Sequence, residues 1–86
     1  MSRHTVTLAR SARKELDTLR PPLVLRVFAA LEALADDPRP PGCKKLRGAD
    51  ALWRVRIGDY RVVYALDDAA RHVDVVAIRH RSGAYS

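Results

Sequence analysis

The sequence predicts a two-layer α+β domain in the order strand, helical hairpin, three-stranded antiparallel meander (β-α-α-β-β-β). Three observations predict it. The apolar period changes from that of a strand to that of a helix near residue 11 and returns to that of a strand near residue 52. Prolines at 21–22 and 38–41 divide the helical part into two segments and end it. Gly58-Asp59 separates two Val-, Tyr- and Arg-rich runs by the two residues of a tight hairpin.

Residues 3–8 alternate, with Thr5 and Thr7 on one side and Val6 and Leu8 on the other, the pattern of a half-buried strand. Ser11 is the expected cap of a helix whose apolar face is Ala12, Leu16 and Leu19. Pro21-Pro22 stops that helix, and Pro22 suits the first turn of the next. The second helix runs to about Asp36 on a stripe of Leu23, Val27, Leu31 and Leu34, widened by Val24, Phe28 and Ala35. Residues 36–42 hold three prolines and a glycine and form a stiff connector. Strands are expected over 52–57, 60–66 and 72–78, with a short loop at 67–71. Two helices packed on one side of such a sheet leave its other face open.

With 86 residues there is room for one domain, 1–86. The only cysteine, Cys43, forms no internal disulfide, which points to a reducing, cytoplasmic setting. No apolar run reaches membrane-spanning length, and the polar start at residues 1–4 is not that of a secretory signal. Sixteen Lys plus Arg, all but three of them arginine, stand against ten Asp plus Glu, for a net charge of +6. Arginine's planar fork suits phosphate, so a polyanionic partner is expected.

The positions of the arginines sharpen this. In residues 52–57 the strand period sends Trp53, Val55 and Ile57 to the helices and Arg54 and Arg56 to the open face, about 6.6 Å apart. Arg61, just past the hairpin, is expected beside Arg56. A second basic cluster, Arg79-His80-Arg81, closes the last strand and is followed by Tyr85. His80 is the histidine beside these charges, and a histidine can take or give a proton, although a lone histidine is more often a structural donor at a strand end.

Leu46-Arg47-Gly48, the run Leu52-Trp53-Arg54-Val55-Arg56-Ile57-Gly58-Asp59-Tyr60-Arg61-Val62-Val63-Tyr64, and Ile78-Arg79-His80-Arg81 with Tyr85 closely resemble the RelE family of toxin–antitoxin ribonucleases. The resemblance implies a compact microbial-ribonuclease-like fold that enters the ribosomal A site and cuts messenger RNA. It implies a catalytic set of Arg54, Arg56, Arg61, Arg81 and Tyr85. Within it, Arg54 and Arg56 hold the scissile phosphate and Arg61 stabilises transition-state charge. The arginine at the end of the last strand is matched by Arg81 or Arg79, and Tyr85 lies by the substrate base or helps proton transfer. Lys44, Lys45, Arg47, Arg79 and His80 are the candidate substrate-binding residues. No cofactor or metal is expected, because RNA brings its own 2′-hydroxyl nucleophile and arginine neutralises the phosphate. Better-known members carry lysine where this chain has Arg54 and Arg56, and arginine cannot serve as a base. The implied partners are an acidic, RelB-like antitoxin, forming a hetero-oligomer, and mRNA on the ribosome, with no membrane. The alternative is a ParE-like toxin that binds DNA gyrase without cutting RNA. A third reading is a degenerate member that binds only its antitoxin.

Overall fold

A computed structural model describes residues 3–48 and 51–80. The elements are β1 (Thr5–Leu8), α1 (Arg10–Asp17), α2 (Pro21–Asp36), β2 (Lys44–Lys45), β3 (Leu52–Ile57), β4 (Tyr60–Asp67) and β5 (His72–His80). They form one five-stranded sheet in the order β1-β5-β4-β3-β2. The expected meander is β3-β4-β5, antiparallel throughout. β1 joins it in parallel with β5, so the sheet is mixed. The two-residue β2, antiparallel to β3, was not expected. Two lysines carry no strand signal, and they pair only because the connector delivers them to the free edge of β3.

The core lies between the helices and one sheet face. Ala12 and Leu16 of α1 and Val27, Leu31 and Leu34 of α2 pack with Val55, Ile57, Val62, Tyr64, Leu66, Val73, Val75 and Ile78. Phe28, expected to widen the apolar stripe, is 46% exposed at its rim, and Leu25 is more exposed still. In β5, Val73 and Val75 are an odd-numbered pair while Ile78 is even, yet all three are buried. A bulge reconciles them: Val63 pairs with Ala77 but Tyr64 with Val75, leaving Val76 extra and reversing the side-chain parity.

Helix α1 begins at Arg10 after Ala9, so Ser11 lies in its first turn and does not cap it. The Ser11 hydroxyl is used elsewhere, donating to the carbonyl oxygen of the bulged Val76 at 2.8 Å. Ala9 N donates to Val75 O at 2.8 Å, and Glu15 Oε1 accepts from Ile78 N at 2.9 Å. Since β1 pairs with β5 only as far as Val75, these contacts let α1 cover the β5 edge beyond it. Leu19 lies past the end of α1, where Thr18 and Leu19 close a tight turn onto Glu15 O and Leu16 O.

The β3–β4 hairpin turns on Gly58, whose φ is +59°, while Asp59 keeps a negative φ; this is the sign pattern of a type II′ turn. The connector is tied down by aromatic residues of the sheet. Tyr64, fully buried, donates its hydroxyl to Pro38 O at 2.7 Å. Arg39 lies 4.9 Å from the Trp53 ring centroid and grips Asp68 through both carboxylate oxygens, holding that carboxyl below its usual range.

Burial, aided by the neighbouring Cys43, pushes the Tyr64 phenol well above the usual tyrosine range. The raised folded value means that this contribution to stability is complete below the unfolded tyrosine value near ~10 and is lost as pH rises toward the folded one. The urea midpoint is therefore expected to fall above about pH 10, and less steeply in Tyr64→Phe. At neutral pH that variant is expected to lose about 1 kcal/mol through the unsatisfied Pro38 carbonyl, measured in the same titrations.

Candidate functional site

The register gathers the basic residues of three strands. In β3, Arg54 and Arg56 point away from the helices, because Val55 and Ile57 point toward them. Arg56 pairs directly with Arg61 of β4, and Arg61 pairs with Arg79 of β5. Directly opposed residues share a face, so Arg56, Arg61 and Arg79 form a cross-strand row. The next row on that face is Lys44, Arg54, Val63 and Ala77, which β2 completes by setting Lys44 opposite Arg54. Among the described residues no helix packs on this face, though Val63 in its middle is itself buried.

The cations differ in surroundings. Arg56 is exposed; Arg54 and Arg61 are half-buried, and Arg61 Nε is shielded from solvent. Among the described residues, Lys44, Arg54 and Arg56 have no carboxylate within ion-pair range. Arg79 does: its Nε lies 2.8 Å from Glu15 Oε2. Among the described residues that contact is made through Nε alone. Like charges directly opposed across strands are unfavourable, so the row stands ready for an anion to lie over it.

Of the remaining candidate residues, Lys45 opposes Trp53 and so points to the helix side, and Arg47 is exposed in the turn after β2. His80 opposes Tyr60 and shares its face, the two rings meeting edge-on with centroids 5.2 Å apart. Neither Lys45 nor His80 joins the arginine row. Arg81 and Tyr85 lie outside the described residues.

Glu15 was not anticipated. Its carboxylate fastens two groups of β5, the Ile78 N–H and the Arg79 guanidinium, 63 and 64 positions away in sequence. Glu15→Ala is expected to cost about 1–2 kcal/mol in urea unfolding, since it removes a charge-assisted pair and leaves an edge N–H without its acceptor.

Among the described residues no helix is long and apolar enough to cross a membrane, and no three His, Cys, Asp or Glu gather in a way that could hold a metal ion.

This geometry has relatives. The family profile of the ParE toxin of type II toxin-antitoxin systems, parDE, matches residues 6–85. The chain is 33% identical over 81 residues to Toxin RelE of Mycobacterium tuberculosis, covering 94% of this chain and 80% of that protein. The archaeal RelE–RelB complex from Pyrococcus horikoshii contains a chain that superposes with a TM-score of 0.83 at 26% identity, covering 98% of this chain and 100% of that one. A chain of the toxin–antitoxin complex RelBE2 from M. tuberculosis superposes with a TM-score of 0.82 at 30% identity, covering 95% of each. A match of this extent in sequence, on the same order of strands and helices, assigns the chain to the RelE/ParE family of toxins from type II toxin–antitoxin systems.

Proposed function

We propose that this toxin is an endoribonuclease that cuts messenger RNA on the ribosome, in the cytoplasm, and is held inactive by an acidic RelB-like antitoxin. The observation that carries the reading is the cross-strand row Arg56, Arg61 and Arg79, with Arg54 and Lys44 beside it, on the face the helices leave uncovered. In this reading the RNA 2′-oxygen attacks the adjacent phosphorus. The new P–O2′ bond forms as the P–O5′ bond breaks, one proton leaves O2′, and one is delivered to O5′. The products are a 2′,3′-cyclic phosphate and a 5′-hydroxyl, and no water is consumed.

Such a reaction asks the protein for alignment and for positive charge around a phosphorane that gains negative charge. Arg54 and Arg56 grip the phosphate, and Arg61, shielded between two other strands' arginines, meets the developing charge where reduced solvent strengthens it. Guanidinium stays protonated at working pH, so the proton from O2′ goes elsewhere. Tyr85 is the proposed proton carrier, and Arg81 is the further arginine proposed for the catalytic set. Lys44, Arg47 and Arg79 contact the RNA beside the scissile step, and Lys45 and His80, on the other side of the sheet, contact it further along.

The antitoxin reading is supported by the +6 charge and by the P. horikoshii relative, which is solved as a RelE–RelB complex. The profile match to ParE toxins favours a second reading, inhibition of DNA gyrase by binding alone. Mapping of messenger RNA ends after brief induction separates the two. New translation-dependent 5′ ends are expected with the wild type and not with Arg61→Ala/Arg81→Ala. Growth arrest with intact messages, unaffected by these substitutions, would instead establish the gyrase reading.

A further inference from the structure

Exposed arginines stand on the helix side as well. A cleft of about 610 Å³ opens between the α1–α2 turn and the tip of the β3–β4 hairpin, lined among others by Arg20, Arg26, Asp59, Tyr60 and His80. Four arginines elsewhere, Arg3, Arg13, Arg39 and Arg79, pair with Asp36, Asp17, Asp68 and Glu15. Among the described residues Arg20 and Arg26 have no carboxylate in ion-pair range, and both are exposed. The Arg26 guanidinium reaches the hairpin tip, 3.5 Å from the position a Cβ on Gly58 would take. Opposite it stand the rings of Tyr60 and His80, perpendicular to within a degree, with His80 exposed. Among the described residues Asp59 is the one carboxylate lining the cleft, beside Arg20, Arg26 and His80.

The position of this cleft relative to the arginine row gives it meaning. Ile57, Tyr60 and His80 form the sheet row directly after Arg56, Arg61 and Arg79, about 3.3 Å further toward the hairpin end and turned to the opposite face. A polyanion that leaves the arginine row past the hairpin end therefore meets the cleft next. Cations combined with ring faces at intervals are what single-stranded RNA requires, because phosphates take the charge and bases take the stacking. An acidic peptide would use the cations but has no flat base for the ring pair.

We propose that the cleft is a second RNA subsite, which receives the nucleotides flanking the scissile phosphate. Arg20 and Arg26 each neutralise one phosphate, and His80, braced edge-on by Tyr60, stacks with a base. The proposal rests on the RNA-cutting reading above.

The test is binding of the full chain to 2′-O-methyl RNA, which lacks the nucleophile and cannot be cut. A short oligonucleotide spanning the arginine row is compared with one extended by a few nucleotides on either side. The wild type is expected to bind the longer RNA about tenfold more tightly. Arg20→Ala/Arg26→Ala is expected to lose that gain. Its log–log salt slope on the longer RNA should fall by about 1.4, at roughly 0.7 per phosphate contact on a single strand, with the short RNA unaffected. His80→Ala should lose part of the gain with no change of slope. Unaltered urea midpoints establish that the variants are folded. An undiminished gain and slope in the arginine variant would overturn the subsite, and so would a wild type that cuts RNA yet gains nothing from length. Lost affinity for the antitoxin with unchanged RNA binding would also overturn it, marking a peptide site. If the wild type neither binds nor cuts RNA, with or without ribosomes, the RNA-cutting reading fails first and takes the subsite with it.

Discussion

Under the proposed ribonuclease function, Arg61→Ala is expected to slow RNA cleavage at saturating substrate by about a hundred- to a thousandfold, the usual effect of removing one preorganised donor from a developing oxyanion. The geometry singles out this arginine. It is directly opposed by Arg56 on one side and Arg79 on the other, and its Nε is shielded from solvent. A charge held there is less screened than the exposed Arg56 and needs little reorganisation when the phosphate becomes pentacoordinate. Arg56→Ala is accordingly expected to raise KM by about tenfold with a smaller change in kcat, as befits a phosphate contact made equally in ground and transition states. Arg61→Lys should restore part of the rate, because it returns the charge without the fork. Single-turnover cleavage on programmed ribosomes measures both parameters. A variant at position 61 with unaltered kcat and raised KM would reduce Arg61 to a binding residue. Urea titration of the variant separates lost rate from lost folding.

Leu34→Ala is expected to destabilise the protein by about 3 kcal/mol, within the range of about 2–5 for buried leucines. Leu34 is 1% exposed and packs on the sheet from the last turns of α2, beside the start of the proline-rich connector. The connector is pinned by Pro38 and Arg39 and leaves little freedom for the helix end to collapse into the space. A domain of this size has a total stability of roughly 4–13 kcal/mol, so the variant should lose a large fraction of it. The midpoint of thermal unfolding should drop by about 12–24 °C at roughly 4–8 °C per kcal/mol. Phe28→Ala, at a residue 46% exposed, is expected to cost under about 1 kcal/mol despite removing a larger side chain. Urea titrations with an unchanged m-value separate these outcomes, and equal losses at the two positions would place the core boundary elsewhere.

Much of the architecture was legible because local rules and tertiary packing agree. The alternation in residues 52–57 placed Arg54 and Arg56 on one face and Val55 and Ile57 on the other, and Gly58 supplied the positive φ that a two-residue turn requires. From these two facts the juxtaposition of Arg56 and Arg61 follows. The second helix, with prolines in its first turn and Val27, Leu31 and Leu34 on one stripe, was equally plain.

What local pattern could not reveal came from contacts between distant parts of the chain. Ser11 has the chemistry of a cap, but the helix starts one residue earlier and the hydroxyl answers a carbonyl 65 positions away. Glu15 looks like any solvated helix carboxylate until β5 brings Ile78 and Arg79 to it. The bulge at Val76 reverses which side chains of β5 face inward, and with them the face on which Arg79 and His80 lie. Alone, then, the sequence determined the periods, the breaks and the charge, because each depends on residues within a turn or two of one another. Tertiary structure decided which strands became neighbours and in what register, because a cross-strand row is set by pairing between segments far apart in the chain, and one extra residue turns a side chain through the sheet.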